Sequence, residues 1–347
     1  MEETKIQNLL NSINQNDITK ADIDIINFLQ KVNQSKNAPE PEELVITTKT
    51  ENCKLSHILD IYRLKPIIKS LVEEKKTDLL LDMKIGDDYL NGTKKKKKKA
   101  TEKKTKRDDN DDFFNQLTLV IKSRQEGKAV NVKMFMNGSI TMTGCKYEND
   151  GIDVINNLYT VLNENCEFMK YVISRDEISK FCNINNKNTT IKEKRIIWNY
   201  FLNRDINKNV ETIKFEDLGI FEHKVSMINS GFNCNFKIDR PKLYKLILQK
   251  YKLYSSYEPS SYQGVKINYF YNEYNDGLCH CENRCKYEKS SRKKNVCHLV
   301  TISVFQSGEI IVTGGKKMEQ TMGAYNFIKE ILKENYNEIV RFSILDI

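Results

Sequence analysis

The sequence predicts an α+β fold built twice, a curved antiparallel sheet in each half with helices over one face. The first observation is a repeated pattern of ten residues. Phe135-Met-Asn-Gly138-Ser-Ile140-Thr-Met-Thr143-Gly144 matches Phe305-Gln-Ser-Gly308-Glu-Ile310-Ile-Val-Thr313-Gly314, with Phe, Gly, Ile, Thr and Gly at identical offsets, and Lys146 and Lys316 follow in step. The second is the alternation before each copy. Val130, Val132 and Met134 oppose Asn131, Lys133 and Phe135, and Val300, Ile302 and Val304 oppose Thr301, Ser303 and Phe305. A strand with that period has one aliphatic face and one polar face that also carries a ring. The third is that the order strand, helix, strands, helix occurs in both halves, which is the layout of a sheet covered on one side.

Taken in order, residues 1–43 predict a helical extension, with Ile6, Leu9, Leu10 and Ile13, then Ile23, Ile25, Ile26 and Leu29, at helical spacing before Pro39 and Pro41. The first repeat spans 44–169. It places a helix at about 55–64, with Ile58, Leu59, Ile61 and Tyr62 as its apolar side, and an insertion at about 69–112. That insertion holds the lysines 94–99, a further basic group through Arg107, and then Asp108, Asp109, Asp111 and Asp112. Like-charge blocks repel themselves, so a solvated loop, an added phosphate grip and a nuclear import signal all fit. Strands follow at 117–122, 131–135 and 139–144. Asn137-Gly138 turns the hairpin. A helix at 150–163 has Ile152, Ile155, Leu158, Tyr159 and Leu162 at steps of three and four.

Residues 170–218 join the halves and hold the only tryptophan, Trp198, in an apolar stretch that reads as a helical subelement. The second repeat spans 219–347, with a strand at 225–228, a helix at 241–250 opened by Pro241, strands at 265–270 and 300–314, and a helix at 319–334. A Cys-rich insertion interrupts it at about 276–297.

Composition narrows the partners. The 347 residues carry a formal charge of +9, which favours a polyanion through counterion release. Hydrophobic content of 39% and a mean hydropathy of −0.59 describe a soluble chain with a modest core. No apolar run approaches the roughly 18 residues that cross a bilayer, and the opening Met1 to Lys5 does not resemble a secretory leader, so no membrane partner is expected. Nine cysteines form an odd set. Cys53, Cys145, Cys166, Cys182 and Cys234 read as small core residues. Cys279, Cys281, Cys285 and Cys297 crowd together, and two readings stand: a structural zinc site, or a loop of reduced thiols. No cofactor is otherwise required.

Further along the second repeat, Tyr254-Ser-Ser-Tyr257-Glu258-Pro259-Ser-Ser-Tyr262-Gln-Gly264 lies between helix and strand, and Val45-Ile-Thr-Thr-Lys-Thr50-Glu-Asn-Cys53-Lys-Leu55 opens the first. With the two Thr-Gly hairpins, these segments resemble the stirrup and opening strand of the TATA-box-binding protein family over roughly 44–169 and 219–347. The resemblance implies a concave saddle that sits on the DNA minor groove. It also implies apolar wedges between base steps, with a kink of about 80° that is known for the family and not read from these residues. The wedge positions fall on Phe114, Phe135, Tyr262 and Phe305. Tyr262 departs from the family's Phe, and its hydroxyl costs more to bury. Thr143 and Thr313 match groove-floor threonines, and Asn229 matches a central Asn whose counterpart here is Thr50. Lys122, Lys133, Lys146, Lys266 and Lys316 are candidate phosphate contacts. Tyr257, Glu258 and Pro259 fall where the family meets a factor-B-like protein and hence RNA polymerase, although the next acidic position has become Ser260.

The expected function is therefore a non-enzymatic transcription initiation factor that binds and bends A·T-rich promoter double-stranded DNA. The alternative is a protein-interaction adaptor that keeps the fold without binding DNA. An enzyme that borrowed the fold as a binding module is weaker, because His57, His223, His280 and His298 have no triad partners in the sequence and no phosphate-binding loop occurs. The Lys-, Asn- and Ile-rich composition and the insertions suggest a large DNA virus or a divergent AT-rich eukaryote. The expected location is the nucleus, or a cytoplasmic viral factory or virion.

Overall fold

The period-two alternation forms strands in both halves, and in each the aliphatic set is the buried one: Val130, Val132 and Met134 are at most 2% exposed, and Val300, Ile302 and Val304 are fully buried. The computed structural model describes residues 37–85, 88–91, 116–123, 128–174, 203, 205, 213–281 and 297–341. The chain divides into a first unit, Thr48–Met227, and a second unit made of Met1–Thr47 and Ile228–Ile347.

The strands are β1 (Val45–Leu55), β2 (Ile58–Leu59), β3 (Leu80–Ile85), β4 (Asp88–Tyr89), β5 (Gln116–Lys122), β6 (Ala129–Phe135), β7 (Ser139–Cys145), β8 (Val172–Ile173), β9 (Ile220–Asn233), β10 (Ser255–Glu258), β11 (Tyr262–Tyr271), β12 (His298–Val304) and β13 (Glu309–Gly315). The α-helices are α1 (Ile61–Glu73), α2 (Asp150–Asn165), α3 (Arg240–Gln249), α4 (Met318–Glu334) and the short α5 (Tyr336–Ile339).

In the first unit the antiparallel order is β1-β7-β6-β5-β3-β4. Helix α2 lies against β5 and β7, and α1 against β3 and β5. In the second unit the order is β10-β11-β12-β13, with residues 228–233 of β9 beside β13. Helix α3 covers β10 and β11, and α4 covers β11, β12 and β13. Each unit is thus an α+β layer pair with helices on the aliphatic face, as expected.

The helices form because their apolar residues recur on one side. In α2, Val154, Ile155, Leu158, Val161 and Leu162 are at most 1% exposed. Burying each contributes about 1.5–3 kcal/mol. Ile152, read as part of that stripe, is instead 39% exposed. Asp239 caps α3 by accepting from the Lys242 N–H at 3.1 Å, and Pro241 occupies the first turn.

Two expectations need correction. The helix placed at 55–64 begins at Ile61 and runs to Glu73. Ile58 and Leu59 are instead a buried strand paired with Ile173 and Val172, Asp60 is the N-cap, and Tyr62 is 46% exposed. Pro66 lies inside the helix although it lacks an N–H, and Ile61, Leu64, Ile68, Leu71 and Val72 supply the buried stripe. The insertion placed at 69–112 begins as ordered structure, since β3 and β4 extend the sheet beyond β5. Residues 1–36, the lysine and aspartate blocks and Trp198 lie outside the described residues.

Candidate nucleic-acid interface

The polar face of each sheet is the one its helices leave uncovered, and register shows what is built on it. In the first unit, Thr50 pairs with Thr143 and Thr143 with Asn131, while the next row runs Asn52, Thr141, Lys133, Thr118. In the second, Asn229 pairs with Thr313, Thr313 with Thr301 and Thr301 with Asn268; the next row runs Gly231, Ile311, Ser303, Lys266. The two faces correspond position by position in register. Asn229 stands where Thr50 stands, and Lys266 where Thr118 stands.

Backbone geometry repeats with the side chains. Thr143-Gly144 and Thr313-Gly314 are each followed by a break in register, because Thr143 faces Thr50 and Cys145 faces Lys49, while Thr313 faces Asn229 and Gly315 faces Ile228. The extra residue is the glycine, with φ of 101° at Gly144 and 98° at Gly314. A left-handed residue is what a bulge of this kind requires, so the Thr-Gly step ends the pairing and leaves each threonine at the same point of its face. The hairpin turns match too, with Gly138 N–H donating to the Phe135 carbonyl at 2.9 Å and Gly308 N–H to the Phe305 carbonyl at 3.2 Å.

The rings stand at the hairpin end of each face. Phe305 and Tyr262 meet with centroids 5.7 Å apart at 61°, and the Lys266 ammonium lies 4.1 Å from the Tyr262 centroid. Both rings crowd Gly264, where an added Cβ would come within 2.8 Å of Tyr262 and 3.1 Å of Phe305. Phe135 pairs with Gln116 at the corresponding place. Phe135, Tyr262 and Phe305 are half-buried, so each presents part of its ring to solvent. Counting back from Gln116 puts Phe114 opposite Tyr262 in the duplication, but Phe114 lies outside the described residues.

Of the lysines, Lys133 and Lys266 are exposed on the open faces, and Lys122 ends β5 half-buried. Lys146 and Lys316 sit beyond the bulges, at the turns into α2 and α4. There their backbone N–H groups donate to Asp150 at 2.7 Å and to Gln320 at 2.8 Å. Tyr257 packs against Tyr244 at 6.2 Å, while Glu258 and Pro259 are exposed where β10 turns into β11.

Sequence reading missed Arg240. Its guanidinium donates to the Gln263 carbonyl and, at 3.0 Å, to Gln306, and lies 5.5 Å from the Tyr257 ring. It lines a hollow of about 660 Å³ with Phe305, Lys237 and Ile311. Its partners are 23 and 66 residues away, and nothing in the local pattern announces them.

The cysteines separate into two populations. Burial pushes the thiols of Cys53 and Cys145 up to about 12 and that of Cys234 to about 11, so all three are protonated core groups. Cys279, Cys281 and Cys297 are brought together with their sulfur atoms within 4.8 Å of one another. Cys285 lies outside the described residues. Among the histidines, His223 meets the buried Glu51 at 2.8 Å, His280 meets Asp276 at 2.7 Å and His298 meets the Gly314 carbonyl at 2.8 Å.

The family model described as transcription factor TFIID, or TATA-binding protein, matches residues 277–335, which hold β12, β13 and α4. The match is to part of the second unit, 277–335. A mimivirus protein described as TATA-box-binding protein-like, from Acanthamoeba polyphaga mimivirus, is 26% identical over 337 residues, covering 94% of this chain and 77% of its own length. The solved TATA-binding protein of Methanococcus jannaschii is 13% identical, with 84% of this chain and 99% of that one covered at a TM-score of 0.35. The family match takes in Phe305, Thr313 and Lys316. The equivalent residues of the first unit, Phe135, Thr143 and Lys146, lie outside it and are tied to it by register.

Proposed function

We propose that this protein is a DNA-binding transcription factor that engages A·T-rich duplexes through the minor groove, using the open sheet face of each unit. The observation that carries the reading is the duplicated row: a bulged Thr-Gly, a central Thr50 or Asn229 beside it, and a half-exposed ring at the hairpin end of the same face. The minor groove presents only acceptors at A·T pairs and adds a donor at G·C, so short hydroxyl and amide groups with aliphatic neighbours suit A·T sequence. Ile311, 39% exposed between Thr313 and Glu309 on the open face, is such a neighbour. Half-exposed rings fit the role of wedges that unstack a base step and bend the duplex. Lys133 and Lys266 supply phosphate contacts from the same faces. In this reading the Tyr257-Glu258-Pro259 turn takes a factor-B-like partner and through it RNA polymerase, and no residue has a catalytic task.

The test is a gel-shift and bend assay on A·T-rich and G·C-rich duplexes, with Phe135→Ala and Phe305→Ala alongside. The expected outcome is preference for A·T, with each variant losing about 1–3 kcal/mol of binding and part of the bend, as removal of a ring stacked on a base does. Equal and unbent binding to both duplexes would sink the proposal and favour the adaptor.

A further inference from the structure

The hairpin end of β11 and β12 away from Phe305 gathers thiols from two stretches of chain. Cys279 and Cys281 follow β11, and Cys297 precedes His298, which pairs with Tyr271 as the strands begin their ladder. The three sulfur atoms lie within 4.8 Å of one another, and those of Cys281 and Cys297 are 3.5 Å apart. Thiolates at the corners of a tetrahedron around zinc, with Zn–S of about 2.3 Å, stand about 3.8 Å apart, so the spacing is that of ligands around one ion.

The surroundings are those of a ligand set. Asn272, only 7% exposed, donates one amide to the Leu278 carbonyl at 2.7 Å and to Cys297 Sγ at 3.4 Å, while its oxygen accepts the Tyr274 N–H at 3.0 Å. An amide fixed in this way orients the sulfur, as outer partners of metal ligands do. His280, between two of the cysteines, is engaged elsewhere: its Nε2 meets Asp276 at 2.7 Å and its ring lies 4.3 Å from that of Tyr274. The donors that converge are therefore sulfur, which selects zinc over hard cations.

We infer that Cys279, Cys281 and Cys297 are ligands of a structural zinc site in the second unit. Each thiol releases its proton to solvent as its sulfur binds, and the ion clips together positions 16 residues apart, Cys281 and Cys297. Metal binding, not DNA preference, is the measure of this site.

The full chain, stripped of metal under reducing conditions, is titrated with zinc and separately with cobalt. One equivalent of zinc should bind, and cobalt should give thiolate charge-transfer absorption. Cys281→Ser and Cys297→Ser should weaken zinc by at least about tenfold, while Cys166→Ser, outside the cluster, binds as the parent does. Alkylation mapped on the unaltered chain covers the case of a variant that fails to fold, because zinc should protect Cys279, Cys281 and Cys297. Substoichiometric uptake, unchanged affinity in both cluster variants, or alkylation of the three at the same rate with and without zinc would each overturn the inference.

Discussion

Asp150 shows how one side chain ties a strand to the helix after it. It is fully buried, and its carboxylate accepts from the Ser123 hydroxyl at 2.6 Å and from the Lys146 and Tyr147 N–H groups at 2.7 and 2.9 Å. Burial by itself would raise the pKa, but these donors outweigh it and hold the carboxyl below its ordinary range. A depressed folded pKa means the stabilisation is complete above the unfolded value of about 3.9 and is lost as pH falls through the folded value. In acid-unfolding curves Asp150→Asn should therefore lower stability near neutral pH by about 1–3 kcal/mol and flatten the loss below about pH 4. A variant with the parent's acid profile would show that another carboxylate governs it. The second unit makes the same turn with the neutral Gln320, which accepts from the Lys316 and Lys317 N–H groups at 2.8 and 3.2 Å. Residues such as Thr143 and Phe305 could be singled out from sequence because they recur at matched offsets. Arg240 could not, because its role depends on Gln263, Gln306 and Tyr257 converging in space.

Among the elements, the bulged strands β7 and β13 carry the duplication most plainly. A Cβ on Gly144 would lie 3.4 Å from the Ala129 carbonyl, and one on Gly314 would lie 3.3 Å from the Leu299 carbonyl, which holds the same place in the other unit. With φ near +100° at both, Gly144→Ala and Gly314→Ala should each cost about 1–3 kcal/mol, and by similar amounts. Denaturant titration of the two variants checks this, and a loss at only one site would show that the bulges are not equivalent. Hairpins and long helices were legible because a period of two or of 3.6 persists over many residues. Helix α1 was misplaced because Ile58 and Leu59 continue its apolar run in sequence, while β8, more than a hundred residues on, draws them into a strand. Strands β3 and β10 gave no signal of their own. β10 is an edge strand and β3 has only the two-residue β4 beyond it, so their long partners, β11 and β5, decide their fate.

For the whole molecule, a formal charge of +9 sets the expected response to salt. If the five candidate lysines each neutralise a phosphate, log K should fall against log salt with a slope of about −4.5, roughly 0.9 for each contact. Lys133→Ala and Lys266→Ala should each make the slope shallower by about 0.9. Binding measured from low to moderate salt decides it, and an unaltered slope in both variants would remove the open faces from the phosphate contact. The division of the chain follows strands more than sequence blocks. β1 and β9 each supply residues to both units, so the boundaries fall at Thr47 and Met227, inside those strands.

By itself the sequence determined the duplication, the α+β class, the aliphatic and polar faces and the residues recurring on them, because a strand's side chains alternate whatever surrounds it. Only the tertiary structure decided that Gly144 and Gly314 are bulges, that Phe305, Tyr262 and Lys266 form one cluster, and that Cys297 returns to within reach of Cys279 and Cys281. Those facts depend on register and on close approach between segments far apart along the chain, and periodicity along a single segment carries no information about either.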